Sequence, residues 1–261
     1  MSTSDELRCD TIGLKRFKAE LDGYGDVVPE KVGELEQQRL EIIPRALAER
    51  EIAYLTKAEI QTLVDWKLSH GTFRPSLQKL VASNAEETVE ESTKAAFAYY
   101  GANNTRWDDA VAMLAKDLRG VGPATATLLL SVFDSVNIPF FSDELFRWTT
   151  FEEGKGRGWD RKIKYSIGEY KQMYPLVQAV RDRLQAEGQT VTALEVEKVA
   201  YVIGKRSGTA AVAADSKSTK ATKKRKLEEP DSAGQEDQEV EAPPSKETRR
   251  TSKWKQFPPP A

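Results

Sequence analysis

Two glycines one residue apart in mid-chain, within Leu118-Arg119-Gly120-Val121-Gly122-Pro123-Ala124-Thr125-Ala126-Thr127, form the pattern best suited to chemistry in this sequence. Glycine accepts positive φ and lets a ligand reach the backbone with no Cβ in the way. Pro123 suits the first turn of a new helix. A helix that stops at Gly120 and restarts after Gly122 exposes unpaired amide N–H groups and a positive dipole end, and together these hold an anion such as phosphate. Gly120, Val121, Gly122 and Thr125 are therefore the expected backbone-binding residues. The plain alternative is a helix-ending turn inside an all-helical core.

The flanking elements have to position that turn. Residues Trp107 to Leu118 carry Ala110, Met113, Leu114 and Leu118 on one helical face, and Ala124 to Phe133 carry Ala126, Leu129, Leu130 and Phe133. Small Ala124 and Ala126 allow the two helices to pack closely. Capping boxes at Thr56–Glu59 and Thr192–Glu195 open two more helices, the first with Ile60, Leu63, Val64 and Leu68 inward. Further helical spacing runs from Arg45 to Glu51 behind Pro44, Pro75 to Ala82, Ala85 to Tyr100, Asp143 to Phe151 and Ser166 to Ala186. Only Ile138 to Phe141 has a strand-like run, too short for a sheet. The expected fold is all-α, with a poorly ordered segment at 1–28, a helical domain at 29–205 and a disordered tail at 206–261.

The hairpin resembles the helix-hairpin-helix of the DNA glycosylase superfamily, the endonuclease-III-like group, whose turn reads Leu-x-Gly-Val-Gly-x-x-Thr-Ala. Leu118, Gly120, Val121, Gly122, Thr125 and Ala126 match. That family places an essential aspartate downstream, before a helix containing Phe-Arg, where this chain has Ser142-Asp143-Glu144-Leu145-Phe146-Arg147. Asp143 stands one position nearer its phenylalanine than the family pattern has it. The resemblance implies that Asp143 supports an oxocarbenium-like sugar and positions water. A helix N-cap is the competing role for Ser142 or Asp143. Lyase-competent members carry a lysine where this chain has Ala124, so a Schiff base from that position is excluded and any enzyme of this kind would be monofunctional. A broader resemblance, through Asp65-Trp66-Lys67-Leu68, Phe73-Arg74-Pro75, the hairpin and Ser142-Asp143-Glu144, is to a widespread eukaryotic group related to those glycosylases. It covers roughly residues 50 to 205, and no established activity attaches to it.

Charge bears on the partner. Of the 39 Lys and Arg and 41 Asp and Glu, 13 and 9 fall from Lys205 onward, leaving 26 and 32 before it. The body is thus acidic, which opposes DNA affinity unless basic groups cluster. One cluster exists, Lys155, Arg157, Arg161, Lys162 and Lys164, among Gly154, Gly156 and Gly158, and reads either as a solvated loop or as a phosphate contact. Arg74 and Tyr165 are further candidate DNA contacts. Trp66, Lys67, Phe73 and Arg74 flank the Ser69–Gly71 turn and would face the hairpin, although Trp66 reads more readily as core. In the tail, Lys223, Lys224, Arg225 and Lys226 resemble a nuclear import signal, which implies an import receptor and a nuclear location.

Several functions drop out on composition. The longest apolar run, Ala126 to Val132, is far short of a membrane span. Cys9 is the sole cysteine, which excludes internal disulfides, four-cysteine zinc sites and the iron–sulfur cluster that some members of the resembled family carry. No cofactor or metal is expected. His70, the sole histidine, ends a helix ahead of Gly71 and reads as a C-terminal cation. Three functions remain: a base-excision-type DNA glycosylase, a non-catalytic DNA-binding hairpin module, and a nuclear protein adaptor.

Overall fold

A computed structural model describes residues 5–71, 74–153 and 158–207, and these residues are helical with no strand among them. After a single 3-10 turn, the chain forms α1 (Leu14–Asp22), α2 (Tyr24–Val27) and α3 (Gly33–Gln37). Residues Gln38–Ile42 continue α3 as a π-helical turn into α4 (Ile43–Glu49). That widening lies immediately before Pro44, whose ring would clash with the carbonyl four residues back in a regular helix. Then follow α5 (Lys57–His70), α6 (Pro75–Ala82), α7 (Glu86–Ala102), α8 (Trp107–Asp117), α9 (Pro123–Phe133), α10 (Asp143–Thr149), α11 (Ile167–Ala186) and α12, which covers residues 193–207. Both expected capping boxes form: Thr56 pairs with Glu59, and Thr192 with Glu195. No helix among the described residues is long and apolar enough to cross a membrane.

Helix α9 is the axle of the fold. Nine of its residues, Ala124 to Val132, are buried. One apolar cluster gathers α5, α7, α8 and most of α9, and a second gathers α1, α10, α11 and α12 with Ala124 at its edge. A segment without regular structure, Ile138 to Ser142, threads between them. Its Phe141 amide donates to Thr127 Oγ1 at 3.1 Å, and Tyr170 donates to the Pro139 carbonyl at 2.9 Å. Asp143 begins where this segment ends, so its position is set by α9 and α11 rather than by its own short helix.

The segment expected to be poorly ordered, 1–28, is from residue 5 onward part of the helical body. Ile12 and Phe17 are buried, Trp148 Nε1 donates to the Leu7 carbonyl at 2.7 Å, and Arg183 donates to the carbonyls of Cys9 and Ile12 at 2.8 and 3.0 Å. Its apolar residues are too few, and too interrupted by glycine, to show a period. Their partners lie on α10 and α11, far along the sequence. The tail expected to be disordered lies outside the described residues except for its first two positions, which continue α12.

A buried polar network lies where the first cluster meets α2 and α12. Arg39, on the π-helical turn, donates twice to Glu197 of α12, both bonds at 2.8 Å, with its guanidinium 3.9 Å over the Trp66 ring. Trp66 is wholly buried, as the core reading required, and its Nε1 donates to Glu36, which also accepts from Tyr24. His70 departs from expectation. It stacks between Trp66 and Tyr201, with centroids 4.5 and 3.9 Å away, and burial, reinforced by the charges of Arg39 and Lys205, holds it well below its usual range. The imidazole is therefore neutral, not a helix-end cation.

The sign of the linkage follows. A histidine whose folded pKa lies below its unfolded value loses stability for the native state as pH falls through about 6.5, because the unfolded chain takes the proton first. Melts between pH 7 and 5 should show a steeper loss for the wild type than for His70→Phe, which keeps the stack. Parallel pH profiles would exclude this role for the imidazole.

Candidate functional site

The turn between α8 and α9 is braced from α6. Gly120 takes φ +78°, and a Cβ there would stand 2.9 Å from Leu80 Cβ and 3.1 Å from the Val81 amide nitrogen, so glycine is required twice over. Asn84 clamps the neighbouring peptide, donating to the Arg119 carbonyl at 3.0 Å and accepting from the Arg119 amide at 2.8 Å. Gly122 differs from the positive-φ expectation. Its φ of −91° and ψ of −179° are extended backbone open to any residue, and an added Cβ would meet nothing within 4 Å. Glycine there keeps the approach to the backbone clear.

Of the four residues expected to grip phosphate, two are already engaged. Val121 is buried, its amide donating to the Leu118 carbonyl, while the Thr125 amide returns to the Gly122 carbonyl. Their places in the match reflect packing of the hairpin, not direct contact with a ligand. Among the described residues, the amides of Gly122 and Ala124 donate to no protein acceptor, and both residues border one cleft. Pro123 between them has no N–H. Gly122 is exposed whereas Ala124 is buried, so the backbone open to a ligand here is narrower than the motif suggested.

That cleft, about 380 Å³, opens beside the turn, and its walls include Lys67, His70, Arg74, Gly122, Asp143 and Tyr165. Ser142 proves to be the N-cap of α10, its hydroxyl accepting from the Leu145 amide at 3.2 Å, which leaves Asp143 at the first helical position. The carboxylate of Asp143 faces the cleft wall: Oδ1 accepts from the Tyr165 hydroxyl at 2.7 Å, and Oδ2 lies 3.6 Å from the Arg147 guanidinium. Burial, then the Asp143 bond, pushes the Tyr165 phenol up to about 12, so near neutrality it keeps its proton and donates.

Tyr165 is held in an uncommon shape. Its φ of +56° puts a bulky side chain in the left-handed region, at a cost on the order of 1–3 kcal/mol, and such strain gathers at functional sites. Arg74 lies 4.7 Å over the Tyr165 ring, completing a chain from Arg74 through Tyr165 to Asp143 and Arg147. Across the cleft Lys67 Nζ donates to Thr125 Oγ1 at 2.8 Å. Burial, then the neighbouring charge of Arg74, lowers this amine to about 8, with Asp143 partly opposing the shift.

The structure thus brings together Asp143, Arg74, Tyr165 and the Gly120–Thr125 turn. It separates Arg161 from them, because that guanidinium is used as a brace, donating to the Thr150 carbonyl at 3.0 Å and lying 4.6 Å over Phe146. Lys162 and Lys164 are exposed and outside the cleft walls. Phe73, Lys155, Arg157 and the Lys223–Lys226 run lie outside the described residues. Arg147 was not singled out beforehand, although its position one turn after Asp143 was legible. Among the described residues no three His, Cys, Asp or Glu side chains come together as metal ligands. No protein-family model, curated protein or solved structure matches this chain, so the chemistry of the cleft rests on its own residues.

Proposed function

We propose that this protein binds a DNA strand at the Gly120–Thr125 turn and takes an extruded nucleotide into the adjoining cleft, where Asp143 acts at the glycosidic bond. One observation carries the reading: Gly122 and Ala124, whose amides have no protein acceptor among the described residues, and Asp143 border the same cavity. The amides and the positive end of α9 suit a phosphate. The cavity is within the range of small-molecule pockets, and Arg74 stacked on Tyr165 offers a charge and a ring face at its mouth. In the reaction the C1′–N bond breaks, the base leaves with the electron pair, water adds its oxygen to C1′ as Asp143 offsets the developing positive charge, and the proton that water loses ends on the departed base. The tail run Lys223–Lys226 would direct this activity to the nucleus.

The bonds that Asp143 already makes to Tyr165 and Arg147 favour a second reading, a hairpin module that binds DNA without chemistry. Duplexes carrying a panel of altered bases separate the two. Wild type should release at least one base, with Asp143→Asn slower by about a hundredfold or more while duplex binding persists. Equal release by the variant would remove Asp143 from the chemistry. Binding that ignores salt concentration would count against phosphate contact altogether.

A further inference from the structure

The end of the α8–α9 pair away from the glycine turn holds a second cavity, about 360 Å³, walled by Tyr100, Asn104, Thr105, Trp107, Asn137 and Tyr174. Helix α8 begins at Trp107 and its 11 residues lead to the turn, so roughly 16 Å of helix separates the two places. Three elements frame the cavity. The Tyr100 hydroxyl donates to Asp134 Oδ2 at 2.7 Å, tying the end of α7 to the C-cap of α9. Asp134 also accepts from the Asn137 amide and from its side chain, both at 3.0 Å, which fixes that residue at the wall. Trp107 meets Tyr170 edge to face at 5.0 Å between centroids and lies 4.6 Å from Tyr174 at a tilt of 32°, both of them on α11.

These walls are aromatic and uncharged, and part of their polar capacity is unspent. Among the described residues, the Asn104 amide, the Thr105 hydroxyl, the Trp107 Nε1–H and the Tyr174 hydroxyl make no hydrogen bond within the protein. No wall residue is an Asp, Glu, Lys or Arg. Burial, then the Asp134 bond, raises the Tyr100 phenol well above its usual range, and burial raises that of Tyr174, so both keep their protons near neutrality. Both phenols feel the charge of Asp134 and the opposing charge of Arg181. A phosphate or carboxylate finds no cation among the walls, and Arg181 opposes an ammonium ion at the ring faces. A sugar carries hydroxyls round its whole rim and would set some of them against ring carbon. A nucleobase has bare faces for the aromatic rings and an edge of donors and acceptors for the amide and hydroxyl groups.

We propose that this cavity is a second binding site, one that takes a nucleobase stacked on Trp107 and hydrogen-bonded by Asn104 and Thr105. The amide of Asn104 presents a donor beside an acceptor, the pairing that the edge of adenine answers. The site stands on its own walls, apart from the cleft at Asp143. Its base comes either from a free nucleoside or from a single strand.

Calorimetric titration of the full chain with adenosine tests the site. Adenosine should bind with an affinity that changes less than about twofold between roughly 0.05 and 0.5 M salt, because no charged pair forms. Affinity should fall about tenfold in Trp107→Leu, which keeps an apolar side chain but no ring, and about fivefold in Asn104→Ala. Asn104 and Thr105 are exposed, so Asn104→Ala and Thr105→Val decide the matter if Trp107→Leu fails to fold. On illumination, 8-azidoadenosine should mark the peptides holding Trp107 or Tyr174. No binding of adenosine, full binding in every variant, label confined to the peptides of Arg74 or Asp143, or binding of glucose in its place overturns the site. Single-stranded oligo(dA) separates the sources: binding tighter than adenosine, weakened alike by Asn104→Ala, supports a strand, and equal or weaker binding supports a free nucleoside. The duplex assays at the glycine turn do not depend on either result.

Discussion

Glu197→Ala is expected to lower the unfolding free energy by about 3–5 kcal/mol, the range for breaking a buried pair by removing one partner. Arg39 cannot discharge, and it is buried, enclosed by Trp66 at 3.9 Å and Phe140 at 5.4 Å, so bulk solvent does not stand in for the lost carboxylate. For a body of this size the melting temperature should drop on the order of ten degrees. The double variant Arg39→Met/Glu197→Leu should recover most of that loss, since it removes both charges and fills similar volume. Thermal and urea melts of the three proteins measure the difference. A single variant within about 1 kcal/mol of wild type would show that the pair is not sealed. The effect extends to the cleft, because Phe140 and His70, which rest against this network, form part of its wall.

Gly120 and Gly122 should part company when each is replaced. Gly120→Ala forces a Cβ into the left-handed region and against Leu80 and the Val81 backbone, and is expected to cost about 2–4 kcal/mol. Gly122→Val should melt like wild type, since extended backbone suits a β-branched residue and no atom lies within 4 Å of the new Cβ. Its side chain would stand where a phosphate approaches the Gly122 and Ala124 amides. Duplex affinity should therefore fall tenfold or more in a protein that is otherwise native. If the folded Gly122→Val protein binds as tightly as wild type, strand contact at this turn is ruled out. The pair separates a fold requirement from a binding requirement within one tripeptide.

Much of the scaffold was legible because it is encoded locally. Helical spacing and the boxes at Thr56 and Thr192 marked helix starts to within a residue or two, and Pro75–Ala82 was readable in full. The rod from Gly33 to Glu49 was not, because a π-helical turn lets the chain pass through Pro44 where a regular helix would begin. The order of the N-terminal segment was not legible for a different reason. What orders it is Trp148 and Arg183, and contacts over such separations leave no period in the sequence.

For the site, the sequence by itself determined which groups were available: a turn that needs glycine at 120, an aspartate at the head of a short helix, and arginine, lysine and tyrosine at intervals without a shared period. Only the tertiary structure decided which of them meet. It paired Tyr165 with Asp143, carried Lys67 across to Thr125, withdrew Arg161 into a brace and buried His70 as a neutral ring. The physical reason is that hydrogen bonds, desolvation and ring stacking act over a few ångströms in space, whereas helix formation is governed by neighbours a turn or two away along the chain.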